Sequence, residues 1–164
     1  MAEIWDLVDS SGKPLGMTWE RSRHKEIPAG IYHPCVEVWV KVGNELLITR
    51  RHPDKSEPLK YDVPGGAVVS GETTLLGALR ELSEEAGIHT TADKLIALGT
   101  LPQGNVYSVS YMLKLEDYPQ ITLQESEVVG YKFVTRQQLE AMMDELTRGS
   151  RSRYSHYKDI IFAD

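Results

Sequence analysis

Three glutamates lie close together in the middle of the chain, at positions that would share one side of a helix. Glu84 and Glu85 follow Glu81 by three and four residues, and at about 100° per residue their carboxylates fall on one patch. Like charges at these intervals destabilise an isolated helix by roughly a few tenths of a kcal/mol per pair. A hard divalent cation reverses that sign, and Mg²⁺ binds through a few carboxylates together with substrate phosphates. The pattern predicts a metal site or, as the plainer alternative, a solvated acidic face.

The surrounding residues predict the helix that positions these glutamates. An apolar side facing a core is formed by residues that recur at intervals of three and four: Leu75, Leu79, Leu82 and Ala86. Gly71-Glu72 opens the helix, and Gly87 follows it in the place of a C-terminal capping glycine. Before the helix, Gly65-Gly66 allows a close approach of the backbone to a ligand, and a carbonyl oxygen there can bind a cation.

The stretch from Gly66 to Ile88 resembles a complete Nudix box, the signature motif of the Nudix hydrolase family. The matching positions have the family's spacing: Gly66, Glu72, Arg80-Glu81-Leu82, Glu84-Glu85 and Gly87-Ile88. At ordinary residue frequencies, a chance match to all of them is on the order of 10⁻⁹ per starting point. The resemblance implies an α/β fold of the Nudix type, an α/β/α sandwich with a mixed β-sheet. It also implies hydrolysis of a diphosphate linkage with Mg²⁺, or with Mn²⁺ as an alternative ion.

The resemblance further implies roles for individual residues of the box. Four groups would bind the metal: the Gly66 carbonyl and the carboxylates of Glu81, Glu84 and Glu85. Glu81 has the best claim to act as the base as well, although some branches of the family supply the base from elsewhere. Glu72 and Arg80 resemble the pair that orients the helix. The substrate would be a nucleoside diphosphate derivative or a related X-diphosphate-Y compound, and the box does not specify what X and Y are.

Four charged residues outside the box are further candidates for the site. Glu125 or Glu127 would supply an additional metal ligand or the base, with an exposed loop acid as the equal alternative. Arg50 and Arg51 arrive shortly before the box and would contact a substrate phosphate. Solvation of a charged loop is the competing interpretation for each of these arginines.

Composition restricts the class of partner. The chain has 164 residues, 41% of them hydrophobic and 26% charged, with a formal net charge of −6. This charge argues against a nucleic-acid polymer held by phosphate contacts. No apolar run approaches membrane length, and the first residues lack the pattern of a signal peptide, so the cytoplasm is the predicted location. Cys35, the single cysteine, cannot form an internal disulfide.

Residues 1–164 are predicted to form a single Nudix domain. Residues 1–30 form a hairpin followed by a loop or short helical turn near the mouth of the site, and 150–164 form a C-terminal tail. Strands are predicted over 36–42, 45–50, 61–64, 95–101, 107–115 and 128–134. The first of these alternates valine with other residues, which indicates one buried face. A later helix starts at a Thr135–Gln138 capping box and ends at Gly149. In the tail, Tyr154, Tyr157, Ile160 and Ile161 are expected to pack back.

Two alternatives to a hydrolase are considered. The N-terminal hairpin and the HPCVEVWV segment are similar to the branch related to isopentenyl diphosphate isomerase. That branch uses a cysteine in an Asn-Ser-x-Cys-Gly-His context and a degraded box, whereas Cys35 lies in His-Pro-Cys-Val and the box is intact. A non-catalytic nucleotide-sensing module is the second alternative, but such modules usually lose box glutamates. The hairpin is also a candidate surface for a homodimer.

Overall fold

Strands and helices alternate in an order that builds one mixed sheet between helices. The computed structural model describes residues 1–163, and within them it contains nine β-strands and three α-helices. The strands are β1 Ile4–Val8, β2 Pro14–Glu20, β3 His33–Val42, β4 Glu45–Arg51, β5 Tyr61–Asp62, β6 Gly65–Ala67, β7 Ile96–Gln103, β8 Val106–Leu115 and β9 Val128–Thr135. The helices are α1 Thr74–Ala86, α2 Arg136–Ala141 and α3 Arg148–Ile161. Short 3₁₀ turns cover Arg21–Glu26, Ala92–Lys94 and Met143–Glu145. No helix within residues 1–163 is long and apolar enough to cross a membrane.

The centre of the sheet is a long parallel pairing of β3 with β8, in register from His33–Val106 to Val42–Leu115. β7 pairs antiparallel with the other edge of β8, and β9 pairs antiparallel with β4. β1 and β2 form a separate two-stranded hairpin. The sheet is therefore mixed, as the sequence predicted.

The sheet divides between β3 and β4. These strands pair only next to their connecting turn, at Lys41–Leu46 and Val42–Glu45. Beyond that point β6 takes the place beside β3, from Cys35–Ala67 to Glu37–Gly65, while β5 pairs with β4. The segment from β5 to β6 thus runs through the opening and brings the two glycines to the middle of the sheet.

Two apolar cores lie on opposite faces of the sheet. One contains Val38, Leu47 and Leu113 of the sheet packed against Ala78, Leu82 and Ala86 of α1. The other contains Trp39, Leu46 and Ile48 packed against Leu139 of α2 and Tyr154, Tyr157 and Ile161 of α3. Helices covering both faces confirm the predicted α/β/α sandwich.

The prediction of one buried face for β3 is wrong, because α3 covers the other face. Glu37 and Trp39 are as buried as the valines between them. The same helix corrects the prediction for the C-terminal segment. Thr147 caps α3 by accepting a hydrogen bond from the Ser150 N–H, so Gly149 lies in the first turn of a helix and does not end the preceding one. Ile160, predicted to pack back, is exposed.

The helix that carries the three glutamates has the predicted C-terminal cap. Gly87 is left-handed, with φ of 68°, and its N–H donates to the Leu82 and Ser83 carbonyls. At the other end the helix begins at Thr74, because the hydroxyl of Thr73 accepts the Leu76 N–H. Glu72 therefore precedes the helix and does not open it. Leu75, predicted on the apolar side, is largely exposed in the first turn.

The N-terminal hairpin is fastened to the domain by an aromatic stack and by hydrogen bonds. Trp5 stacks on His33 of β3, with ring centroids 3.9 Å apart. Asp6 accepts hydrogen bonds from the Ser70 hydroxyl and the Gly71 N–H, in the loop before α1. The hairpin is therefore attached both to β3, which pairs with the segment that contains Gly66, and to the loop that follows this segment.

Gly87→Ala should reduce the free energy of unfolding by about 2 kcal/mol or more. An L-residue in the left-handed conformation costs roughly 1–2 kcal/mol, and the added Cβ would lie 2.8 Å from Thr122 Cβ and 3.1 Å from the Thr122 nitrogen. Gly104→Ala is the matched control, because Gly104 has φ of 59° but open space around it. Urea unfolding of both variants measures the difference, and equal losses would mean that the Thr122 contact has no cost.

The contribution of His33 to stability should fall as the pH is lowered from about 6.5 to about 4. Burial, with the nearby positive charges of His24 and Arg21, lowers the pKa of His33 from 6.5 to about 4, so the unfolded chain binds the extra proton first. His33→Gln should therefore flatten this part of the pH profile, by up to about 3 kcal/mol. Urea midpoints across this range measure the slope, with exposed His89→Gln as the control. An unchanged slope in His33→Gln would contradict the assignment.

Candidate active site

The divided sheet and the N-terminal end of the chain enclose a cavity of about 270 Å³ against α1. Its wall contains the backbone of Gly65 and Gly66 and a mixture of charged side chains. The carboxylates are Glu3, Glu81, Glu84, Glu85 and Glu127, and the cations are Arg21, Lys55 and Arg80. The structure therefore brings all three glutamates of the helix to one cavity, together with the glycines that precede it.

Two of these carboxylates are removed from water. Burial, opposed by the charge of Arg80 and reinforced by that of Glu84, raises the pKa of Glu81 to about 7. Burial also raises the pKa of Glu85 to about 8, with Asp62 and Glu81 as nearby like charges. Glu84 is more exposed, at 45% of its side chain. Buried acids with raised pKa values in a cavity are typical of functional sites, since folding alone gains nothing from them.

The two glycines are required by close contacts on both sides of the backbone. A Cβ on Gly65 would lie 2.2 Å from the Val36 carbonyl oxygen, and a Cβ on Gly66 would lie 2.5 Å from Glu81 Oε1. The Gly65 N–H donates to Glu85 Oε1 at 2.8 Å. Hence the backbone of β6 is packed directly against two carboxylates of α1; a side chain at Gly66 would displace Glu81, and one at Gly65 would collide with the backbone of β3.

Arg80 is the centre of the hydrogen-bond network in the cavity wall. Its Nε and Nη2 donate to the two oxygens of Glu72 at 2.8 and 2.9 Å, and Nη2 also donates to the Ala67 carbonyl. Its Nη1 donates to Glu81 at 2.8 Å and to Glu84 at 3.3 Å. The Arg80 guanidinium lowers the pKa of Glu72. The bidentate pair ties the middle of α1 to the loop before it, and the bond to Ala67 ties α1 to β6.

Of the other candidates predicted from the sequence, Glu127 lines this cavity, whereas Glu125, Arg50 and Arg51 lie outside its wall. Glu127 lines the cavity and forms an ion pair with Lys55, whereas Glu125 is exposed and lies outside the cavity wall. Arg51 lines a neighbouring cavity, and its guanidinium is bonded to Asp62 and Ser56. Arg50 donates to the Leu59 carbonyl at 3.1 Å. Their roles as ligand, base or substrate contact stay predictions.

Two charged residues of the cavity were not singled out by the sequence. Glu3 and Arg21 come from the N-terminal segment, where Arg21 Nη1 donates to Glu3 Oε2 at 2.8 Å. Lys55, a basic residue of the charged loop after β4 that the sequence did offer as a phosphate contact, lies in the same wall. The polar character of the 19–31 segment was the signal for Arg21, whereas Glu3 had none because a single glutamate in a strand has no distinguishing pattern.

A second cavity of about 230 Å³ adjoins the first, and Gly65 and Gly66 line both. It lies on the side of the sheet that α3 covers. Its polar wall is formed by Glu37, Arg51, Asp62, Ser108 and Arg153, together with the thiol-bearing Cys35. A ligand spanning the glycines would reach both cavities, with one end at the α1 carboxylates and the other among these groups.

Comparison with known proteins identifies the family. The model of the NUDIX domain matches residues 31–157. An uncharacterized Nudix hydrolase of Listeria monocytogenes is 30% identical over 152 residues, which are 85% of this chain and 84% of that protein. Nudix hydrolase 3 of Arabidopsis thaliana is 31% identical over 80% of this chain, which spans only 19% of that protein.

A solved structure agrees with the fold. The crystal structure of a Deinococcus radiodurans protein superposes with a TM-score of 0.70 at 25% identity, covering 87% of this chain and 89% of the other. The family match extends well beyond the box, from before β3 to within α3. It thus includes every strand of the divided sheet and the helix with the three glutamates. The chain therefore belongs to the Nudix hydrolase family.

Proposed function

We propose that this protein hydrolyses the diphosphate linkage of a nucleoside diphosphate derivative or a related X-diphosphate-Y compound, with Mg²⁺ as cofactor and Mn²⁺ as an alternative. The observation that carries the proposal is the burial of Glu81 and Glu85 against the Gly65-Gly66 backbone, with pKa values raised to about 7 and about 8. Oxygen donors of this kind are what a hard divalent cation requires.

The residues fit a metal, although the side chains do not yet surround one. Within residues 1–163, no three His, Cys, Asp or Glu side chains are close enough together to hold an ion. Arg80 Nη1 donates to both Glu81 and Glu84. The proposed ligands are the Gly66 carbonyl and the carboxylates of Glu81, Glu84 and Glu85. A bound ion would supply charge neutralisation for the phosphoryl oxygens and a lower pKa for the attacking water.

The chain's own groups divide the remaining work. Glu81, with a pKa near 7, is suited to accept the proton of the attacking water at its carboxylate. Arg80 keeps Glu81 oriented through Nη1 and is itself fixed by Glu72. Arg21 and Lys55 also lie in the cavity wall, where each is paired with a carboxylate, Glu3 and Glu127 respectively.

The chemistry of Cys35 favours hydrolysis over isomerisation. Its thiol is buried, and burial raises its pKa to about 12, so a reactive thiolate does not form at neutral pH. The thiol lies 3.6 Å from Nδ1 of His33, whose own pKa is lowered to about 4. Neither group of this pair is suited to proton transfer near neutrality.

The proposal also includes the class of substrate, the cellular location and the oligomeric state. The net charge of −6 and the acidic cavity favour a small substrate that is accompanied by a cation, and disfavour a nucleic-acid polymer. We propose a cytoplasmic location for the protein. We also propose a homodimer, with the N-terminal hairpin as the candidate interface.

Removing the Glu85 charge should stabilise the metal-free protein. In the presence of chelator at pH 8, Glu85→Gln should raise the thermal midpoint by about 2–5 °C. Because the pKa of Glu85 is raised, the folded protein retains a proton on this carboxyl group. The contribution of Glu85 to stability therefore decreases as the pH rises from 4.5 towards 8. Glutamine avoids this cost, and its amide oxygen can still accept the Gly65 N–H.

Added Mg²⁺ or Mn²⁺ should reverse the order of the two proteins. The ions should raise the midpoint of the wild type and leave that of Glu85→Gln almost unchanged, because binding to the folded state alone stabilises it. Differential scanning fluorimetry measures both effects, with exposed Glu116→Gln as the control. An equal metal response in wild type and Glu85→Gln would remove Glu85 from the ligand set.

Turnover should depend on the metal and on Glu81. Cleavage of a panel of nucleoside and non-nucleoside X-diphosphate-Y compounds into X-phosphate and Y-phosphate should occur with Mg²⁺ and stop with chelator. Glu81→Gln should lower kcat by about 10²-fold or more, whereas Glu116→Gln, far from the cavity wall, should not. Metal-dependent nucleotide binding without turnover of any compound would instead support a non-catalytic sensing module.

A further inference from the structure

Arg153 of α3 is fixed in the second cavity by a buried carboxylate. Its Nε donates to Glu37 Oε1 at 2.6 Å. The other oxygen of Glu37 accepts hydrogen bonds from Trp39 Nε1 at 2.8 Å and from the Ser110 hydroxyl at 2.6 Å. Three donors therefore hold Glu37 in place, and Glu37 in turn fixes the position of the Arg153 guanidinium.

The outer edge of this guanidinium is unused. Among residues 1–163, neither Nη1 nor Nη2 of Arg153 donates a hydrogen bond to a protein group, although only 19% of the side chain is exposed. Neither nitrogen is among the buried side-chain atoms that lack a partner, so both are accessible to solvent and to a ligand. Since Arg153 lines the second cavity, a ligand in that cavity would supply the missing acceptors.

Gly149 provides the room for this arrangement. It lies one turn before Arg153 on α3, and a Cβ at this position would come within 2.9 Å of Nη1 and 3.3 Å of Nη2. The guanidinium thus lies directly over the glycine. The atoms that an alanine at position 149 would displace belong to the end of the Arg153 side chain. Gly149→Ala would therefore move the guanidinium without disturbing the backbone.

The charges of the cavity wall are matched. Arg153 faces Glu37, and Arg51 donates to Asp62 at 3.0 Å, so each guanidinium has a carboxylate partner. A wall with paired charges gives little net attraction for an anion. It favours instead a neutral group whose edge presents two neighbouring hydrogen-bond acceptors, which is the pattern that the planar fork of arginine matches.

We propose that Arg153 determines specificity by donating from Nη1 and Nη2 to the O6 and N7 acceptors of a 6-oxopurine at the distal end of the substrate. Arginine pairs with two acceptors on this edge of guanine, whereas adenine presents one acceptor and an amino donor there. A 6-aminopurine would leave one Arg153 donor unpaired and place another donor against it. This assignment rests on the proposed function for the position of the diphosphate at the α1 carboxylates.

The test is equilibrium binding of GMP, IMP and AMP by calorimetry with saturating Mg²⁺, which needs no turnover. The wild type should bind GMP and IMP about tenfold or more tightly than AMP. IMP isolates the O6 and N7 edge because it lacks the 2-amino group. Equal affinities, a preference for AMP, or no binding of any of the three would overturn the proposal.

Two variants test Arg153 itself. Arg153→Lys keeps a positive charge beside Glu37 but loses the fork, so the preference should fall to about threefold or less. Gly149→Ala should weaken the preference by displacing the guanidinium while the fold is retained. Arg151→Ala is the control, since Arg151 is exposed on the same helix and should keep the full preference. A preference retained in both Arg153→Lys and Gly149→Ala would contradict the assignment.

The outcome is separable from that of the proposed function. If metal-dependent turnover occurs but Arg153→Lys does not change the ratio of 6-oxopurine to 6-aminopurine binding, only the role of Arg153 fails. If the binding preference follows Arg153 but no diphosphate is hydrolysed, only the hydrolase proposal fails. Circular dichroism of each variant confirms that a change in preference occurs in a folded protein.

Discussion

The arrangement around the cavity depends on one electrostatic constraint, the burial of several carboxylates within reach of a single guanidinium. Glu81 and Glu85 are largely buried. Among the carboxylates, Arg80 donates hydrogen bonds to Glu72, Glu81 and Glu84. Glu85 is left to the Gly65 N–H, and the pKa values of both buried acids are raised. Fold stability alone does not explain such a cluster. The proposed divalent cation would explain it, because it would stabilise the same charges that destabilise the metal-free protein.

The opening in the sheet determines where these buried carboxylates lie. β3 and β4 separate after two residue pairs, and β6 enters beside β3. A fully paired sheet would have no room there for the α1 carboxylates. The opening also joins the two cavities at Gly65 and Gly66, so that one site faces α1 and the other faces α3. In the first cavity, carboxylates outnumber basic side chains by five to three, whereas in the second each arginine has a carboxylate partner. With a cation in the first cavity, this arrangement suits a substrate with an anionic middle and a neutral end.

Much of the active-site helix could be predicted from the sequence because its determinants are local. The spacing of Glu81, Glu84 and Glu85 follows from helix geometry, and Gly87 ends the helix through its own left-handed conformation. The strands were predicted with errors at their ends, and the burial of β3 on both faces was missed. That error followed from the charged residues Glu37 and Lys41, which alternate with the valines and indicated a polar second face, although the predicted sandwich covers both faces of the sheet.

The family, the mixed α/β/α sandwich and the three clustered glutamates could be predicted without a structure, because motif spacing and hydrophobic periodicity are properties of neighbouring residues. Which other groups reach the glutamates depends on long-range packing. Glu3 and Arg21 arrive from the N-terminal end of the chain, and Arg153 meets Glu37 across 116 positions. Contacts over such separations depend on how the helices pack against the sheet, and no local pattern in the chain specifies that packing.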